Sequence, residues 1–160
     1  MAIELKLLLL LVVANGAPIL ARRLFGTRFN WPLDGGYLTS KGRYLLGPSK
    51  TIRGLIAAVV VTSAIAHIVT IGWQWGAMIG AVAMLGDLVA SFIKRRLNMP
   101  PSSQAIGLDQ IPESLLPLLF CVAVFDLDWW SVLFLVLAFL VVVPLLSRLL
   151  FLLGIRRRPY

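Results

Sequence analysis

Apolar residues run nearly unbroken through five stretches of the chain, about 2–20, 51–71, 73–97, 109–127 and 129–153. A helix that crosses a bilayer needs roughly 20 such residues. The pattern therefore predicts an all-α integral membrane protein, a five-transmembrane-helix bundle forming a single membrane-embedded domain over 1–160, with polar loops at 21–50 and 98–108. The first stretch is interrupted by Asn15, Gly16 and Pro18. Within the long loop, Trp31-Pro32-Leu33-Asp34-Gly35-Gly36 has turn chemistry. A loop of that length in a small protein is either functional or disordered, and its Trp31, Tyr37 and Tyr44 favour order. No internal repeat or low-complexity segment is present.

The polar residues between the stretches orient them. Arg22, Arg23, Arg28, Lys41, Arg43 and Lys50 in the first loop, Lys94-Arg95-Arg96, and Arg156-Arg157-Arg158 all fall on one side of a five-span bundle. The other side carries only Glu4, Lys6, Asp126 and Asp128. Basic residues mark the cytoplasmic side, which predicts the N-terminus outside and the C-terminus in the cytoplasm. Trp73, Trp75, Trp129 and Trp130 then gather at the outer interface, where indoles concentrate. The apolar N-terminus is expected to be a retained span, because Glu4 and Lys6 make a poor leader and Arg22 and Arg23 lie beyond it.

Composition removes the soluble alternatives. Hydrophobic residues make up 59% of the chain and charged ones 14%, against roughly a quarter charged in soluble domains. The net charge of +8 does not indicate nucleic acid, since the basic residues flank the spans. They serve there as topology signals and as partners for anionic head groups or phosphates. Cys121 is the one cysteine, so no intrachain disulfide forms, and its apolar neighbours make it a packing residue.

Carboxylates inside apolar stretches are functional candidates. At 1.5 Å per residue, Asp87 lies roughly 10 Å inward from Lys94-Arg95-Arg96. Asn15 sits at a similar depth below Arg22. Asp109 and Glu113 occupy the first turns of the fourth span, and Thr51 and Arg53 that of the second. Asp87, Ser91 and Lys94 share one face of their helix. Four helices thus place polar groups at one level, on the cytoplasmic side of the cell membrane. Hard carboxylate ligands beside Lys and Arg suit a magnesium–nucleotide site, because Mg²⁺ is usually bound by one or two carboxylates plus substrate phosphates and cations neutralise phosphate oxygens. Transfer at phosphorus needs mainly positioning and charge stabilisation. A phosphate-monoester nucleophile is already anionic, which fits a chain whose single histidine, His67, falls near the other end of the second span.

Taken singly, these residues have plainer readings. Lys94-Arg95-Arg96 resembles a snorkelling stop signal, Asp87 a structural ion-pair partner, and Asn15 with Pro18 a helix kink. Gly42 to Gly47 followed by Lys50 and Thr51 has the wrong spacing for a Walker loop, although Lys50, Thr51 and Arg53 remain placed to meet phosphate. Gly76, Gly80 and Gly86 suggest close helix packing. A small ion or solute carrier, and a non-catalytic scaffold binding anionic lipid, are the alternatives to an enzyme. The convergence of four helices at one depth favours the enzyme.

Together, Asn15-Gly16-Ala17-Pro18, Pro32-Leu33-Asp34-Gly35-Gly36, the stretch from Arg43 through Lys50-Thr51-Ile52-Arg53-Gly54, Gly86-Asp87 through Lys94-Arg95-Arg96, and Leu108-Asp109-Gln110-Ile111-Pro112-Glu113 resemble the CDP-archaeol synthase family. These are small relatives of the phosphatidate cytidylyltransferases. The resemblance implies a five-span transferase joining CTP to an isoprenoid ether-lipid phosphate, with Mg²⁺, to give a CDP-activated lipid and pyrophosphate. By position it implies Asp87 and Asp109 as metal ligands, with Lys94 completing the catalytic set. Ser91, Lys94, Arg95 and Arg96 would contact nucleotide or phosphate, and Glu113 would be a supporting carboxylate. Asn15, Asp34, Arg43, Lys50, Thr51 and Arg53 lie in the remaining motifs, Asp34 as a second supporting acid and the others as phosphate contacts. The chain lacks the Lys-Asp and His-Gly-Gly elements of the larger phosphatidate enzymes, so the lipid, rather than the reaction, is what the motifs leave open, along with the oligomeric state.

Overall fold

The computed structural model describes residues 2–40 and 42–155. Lys41 and Arg156-Arg157-Arg158, used above to orient the chain, lie outside the described residues. Five helices follow one another: α1 Ile3–Phe25, α2 Ile52–Ile68, α3 Trp73–Arg96, α4 Gln110–Phe125 and α5 Trp129–Leu152. Among the described residues there is no strand, only two isolated bridges that tie Pro32 to Thr51 and Leu38 to Tyr44. Short connections at 69–72 and 126–128 make neighbouring helices antiparallel. One end of the bundle therefore collects the C-terminal ends of α1, α3 and α5 with the N-terminal ends of α2 and α4.

Of these helices, α1, α3 and α5 are long and apolar enough to cross a membrane, with 23, 24 and 24 residues, whereas α2 and α4 are shorter, with 17 and 16. Large apolar side chains such as Leu24, Ile68, Phe134, Leu137 and Leu152 are exposed all round the bundle. Apolar area of that extent has no place in water. The fold is that of a membrane protein.

One helix departs from its hydropathy pattern. The interruption at Asn15, Gly16 and Pro18 does not end α1, which continues to Phe25 and carries Arg22 and Arg23 in its last turn. Proline removes one backbone donor, and the helix tolerates this here because other helices hold both polar breakers. Gly54 of α2 lies against Pro18, where an added Cβ would come within 3.3 Å of the ring, and Asn15 bonds to α4.

Small residues set the spacing of the helices. At Gly76 a Cβ would lie 2.3 Å from Ala66 Cβ and 2.6 Å from the Thr62 carbonyl, and at Gly80 it would lie 3.0 Å from the Ala58 carbonyl. Ala58, Thr62 and Ala66 form one stripe of α2, so α2 and α3 meet backbone to backbone, as small residues permit in membranes. The apolar core fills the half of the bundle away from the long loop: Leu7, Leu10, Leu11, Ile79, Leu118, Cys121, Leu135 and Phe139. At that far end Trp73, Trp129 and Trp130 are exposed. Trp75 differs from the sequence expectation in turning inward against Phe120 and Phe125, with ring centroids 6.1 and 6.0 Å away.

Candidate active site

The other half of the bundle is not filled by apolar side chains. It encloses a cavity of about 780 Å³, large enough for a nucleotide, lined by α1, α3, α4, α5, the residues leading into α2 and the 98–108 loop. Asn15, Lys50, Thr51, Asp87, Lys94, Asp109 and Glu113 all line it. Asp87 and Asp109, from separate helices, thus open onto the same space.

Three contacts tie these residues together. Lys50 Nζ donates to both carboxylate oxygens of Asp87 at 2.6 Å, joining the entry of α2 to α3. Lys94 Nζ lies 2.6 Å from Asp109 Oδ1 and also donates to the Ser103 carbonyl at 2.9 Å, joining α3 to α4 and its preceding loop. Asn15 Nδ2 donates to both oxygens of the buried Glu113, at 2.8 and 2.9 Å, joining α1 to α4. These pairs are largely shielded from water, so they are held more firmly than surface ion pairs, whose worth is about 0–1 kcal/mol.

Local backbone features set this geometry. Thr51 caps α2 by accepting from the Gly54 N–H at 3.2 Å, which places Lys50 immediately before the first turn. At Gly86 any Cβ would lie 2.2 Å from the Pro112 carbonyl oxygen and 2.7 Å from Glu113 Cα. The absent side chain lets the first turn of α4 rest on α3 and brings Glu113 beside Asp87. Asp109 Oδ2 accepts from the Ala105 N–H at 2.9 Å, fixing that carboxylate against its own loop. The N-terminal ends of α2 and α4 point at the cavity, and their partial positive charge favours anions there.

The remaining sequence candidates surround the cavity rather than line it. Ser91 is buried in α3. Arg53 is buried too, with its guanidinium donating to the Gly26 carbonyl at 3.0 Å, to the Arg28 carbonyl and to Asn30 Oδ1 at 3.2 Å. It borders a smaller hollow of about 240 Å³ shared with Ser49, Thr51 and Ser102. Arg95 donates to the Pro100 carbonyl and Arg96 to the Tyr44 carbonyl, while Arg43 reaches the Arg96 carbonyl at 3.4 Å. These arginines fasten the two loops to α3. Asp34 accepts from the backbone N–H groups of Leu46 (2.8 Å), Gly36 (3.0 Å) and Gly47 (3.2 Å). Burial alone would raise its carboxyl, but those bonds prevail and hold it below its ordinary 3.8. His67 is exposed near the far end of α2.

Several lining residues went unnoticed in the sequence. Ser103, Gln104 and Gln110 enter from the 98–108 loop and the start of α4, and Val143, Pro144 and Ser147 from α5. Polar residues between Pro100-Pro101 and Gly107, and Ser147 beside Arg148 in the apolar second half of α5, were the available signals.

No set of three or more His, Cys, Asp or Glu side chains that could hold a metal occurs among the described residues. That donor set does not make an all-protein cage. A Mg²⁺ ion bound by one or two carboxylates and completed by substrate phosphates would draw on Asp87 and Asp109, whose oxygens are engaged here by Lys50, Lys94 and the Ala105 N–H.

A solved structure described as "Structural insight into an intramembrane enzyme for archaeal membrane lipids biosynthesis" shares this fold with a TM-score of 0.75 and 28% identity, over 86% of this chain and 87% of that one. The bundle and its polar cavity thus belong to an intramembrane enzyme. CDP-archaeol synthase of Thermococcus kodakarensis is 37% identical over 76% of this chain and 74% of its own length. That of Pyrococcus furiosus is 34% identical over 83% and 80%. The family model described as CarS-like, CDP-archaeol synthase, matches residues 2–160. The chain belongs to the CDP-archaeol synthase family and is a CTP-dependent lipid cytidylyltransferase.

Proposed function

We propose that the cavity binds CTP together with an isoprenoid ether-lipid phosphate of the membrane and joins them into a CDP-activated lipid, releasing pyrophosphate. The observation that carries this reading is the meeting of Lys50 with Asp87, Lys94 with Asp109, and Asn15 with Glu113 around one cavity of nucleotide size. All five helices cross the bilayer in this reading, with the N-terminus outside and the cavity on the cytoplasmic side of the cell membrane. CTP enters from the cytosol and the lipid phosphate from the leaflet.

The chemistry is a displacement at phosphorus. An oxygen of the lipid phosphate attacks the α-phosphorus of CTP, a new P–O–P linkage forms, and the bond to the β-phosphate oxygen breaks so that pyrophosphate leaves. The nucleophile is already anionic and needs no base. Lys50 and Lys94 neutralise phosphate oxygens at the start and as charge moves to the leaving group. Both lysines are anchored to carboxylates on separate helices, so their positions are set before substrate binds. Asn15 and Glu113 brace α1 against α4 at the level of Asp87. Asp87 and Asp109 would hold Mg²⁺, which would supply further charge neutralisation to the phosphates.

A carrier would need polar lining toward the opposite face as well, and that half of the bundle is filled by Leu7, Leu10, Ile79 and Phe139. Incubating purified protein with labelled CTP, Mg²⁺ and a panel of isoprenoid ether and diacyl lipid phosphates tests the reading. A labelled CDP-lipid formed from the ether phosphate is the expected product. CTP left intact with every lipid phosphate would refute the assignment.

A further inference from the structure

The connection between α1 and α2 begins with three aromatic rings that the catalytic reading does not use. Phe25 and Phe29 stand edge to face with centroids 6.2 Å apart, and Phe29 and Trp31 do the same at 6.2 Å. The row faces outward: Phe29 is 56% and Trp31 64% exposed. A mobile loop would not hold such a row, and this one is latched from behind. The buried Arg53 guanidinium binds the Gly26 and Arg28 carbonyls and Asn30 Oδ1, every second residue of the segment. Phe29 itself takes a positive φ of 55°, a conformation unusual for a bulky side chain that turns its ring into the row.

Two features say what covers these rings. The row continues the lipid-facing side of α1, where Leu5, Leu9, Leu20 and Leu24 are exposed along one face of the helix. Arg28 is exposed within the row, pairing a cation with aromatic rings as residues at the bilayer interface do. Directly behind the rings, Gly26, Thr27 and Asn30 line the large cavity.

We propose that Phe25, Phe29 and Trp31 form an interfacial anchor that inserts into the boundary between head groups and acyl chains of an anionic bilayer, holding the cavity mouth at the depth of the lipid phosphates. The segment is thus a rigid shelf resting in the membrane surface. Arg53 transmits that position to the first turn of α2, and so to Lys50 and Thr51.

Depth measurements test this without reference to catalysis. Trp31→Phe removes one indole and keeps the ring row, so the difference in emission between wild type and this variant, in vesicles of phosphatidylcholine and phosphatidylglycerol, reports Trp31. That signal is expected to fall by about half with lipids brominated just beneath the head groups, as suits an indole at the interface, and to fall less with bromine near the chain ends. Because Cys121 is buried, Phe29→Cys can be spin-labelled selectively. The label is expected to be relaxed more by membrane-dissolved oxygen than by an aqueous nickel chelate. Emission insensitive to bromine, or a label relaxed mainly by the chelate, would overturn the proposal. So would a signal that follows protein concentration rather than lipid, which would assign the rings to contact between copies. A vesicle that shows the anchor but no CDP-lipid formation would leave this inference standing and remove the catalytic one.

Discussion

Lys50 Nζ is equidistant, at 2.6 Å, from the two carboxylate oxygens of Asp87. Lys50, just ahead of the Thr51 cap of α2, is thereby clamped to the turn of α3 that carries Asp87. The pair joins the proposed phosphate-binding cation to the proposed metal ligand, so the two residues are expected to fail together.

Asp87→Asn keeps size and shape but removes the charge that holds Lys50. Loss of one preorganised charged contact at a reacting centre typically lowers turnover by about 10²–10³-fold, and a drop of that size in CDP-lipid formation is expected. Lys50→Met should give a comparable loss. Unchanged elution and melting temperature in detergent would show that the fold survives, and near-normal turnover in either variant would contradict the assignment.

Close approach at Gly86 yields a second expectation. An added methyl would lie 2.2 Å from the Pro112 carbonyl oxygen and 2.7 Å from Glu113 Cα, and neither backbone atom can yield without moving α4. Gly86→Ala should therefore destabilise the protein by about 1–3 kcal/mol, the range for overpacking, and lower activity by separating Glu113 from Asp87. Gly16→Ala is the control: it lies in α1 with nothing within 4 Å of the added carbon. Helix propensity alone predicts an unchanged or slightly higher melting temperature there.

Arg53 is held by two backbone carbonyls and Asn30 Oδ1, whereas each cavity lysine is paired with a carboxylate. A hydrogen bond from a charged group contributes about 1.5–3 kcal/mol, and lysine cannot reproduce the fork that meets Gly26, Arg28 and Asn30 at once. Arg53→Lys is expected to make the chain after Arg28 more susceptible to trypsin by about a hundredfold, following the local opening equilibrium. Helix content should remain unchanged. A cleavage rate equal to wild type would mean that the arginine is not the latch.

The hydropathy pattern made the five helices legible because each is a long apolar run bounded by charged or turn-forming residues, yet it ended the first at about residue 20, short of Phe25. Asn15, Gly16 and Pro18 interrupt the apolar run or suggest a kink, and what holds them within one helix, Glu113 beside Asn15 and Gly54 beside Pro18, is distant in sequence. The cavity acids were legible for a related reason: a carboxylate in an apolar stretch stands out. Their partners were not. Helical spacing put Lys94 in a stripe with Asp87, whereas its contact is with Asp109 on the next helix, and Lys50 answers Asp87 instead. Pairing between helices depends on rotations that a one-dimensional pattern does not carry. The contribution of α5 through Val143, Pro144 and Ser147 was hidden in its near-uniform hydrophobicity.

Asp34 supplies a pH-dependent expectation outside the spans. The N–H groups of Leu46, Gly36 and Gly47 outweigh its burial and hold its carboxyl below the ordinary 3.8 in the folded protein. A depressed folded value means that the carboxylate form is the one the fold favours. Its contribution is therefore complete above the unfolded value of about 3.9 and disappears as pH falls through the folded value. Asp34→Asn replaces one acceptor oxygen with an NH₂ that faces backbone donors. The melting temperature of wild type should accordingly exceed that of Asp34→Asn by a constant margin from neutral pH down to the usual aspartate range, and the margin should shrink only in stronger acid. A margin that grows on acidification would show that the loop stabilises the protonated acid, and the hydrogen-bonded role of Asp34 would have to be withdrawn.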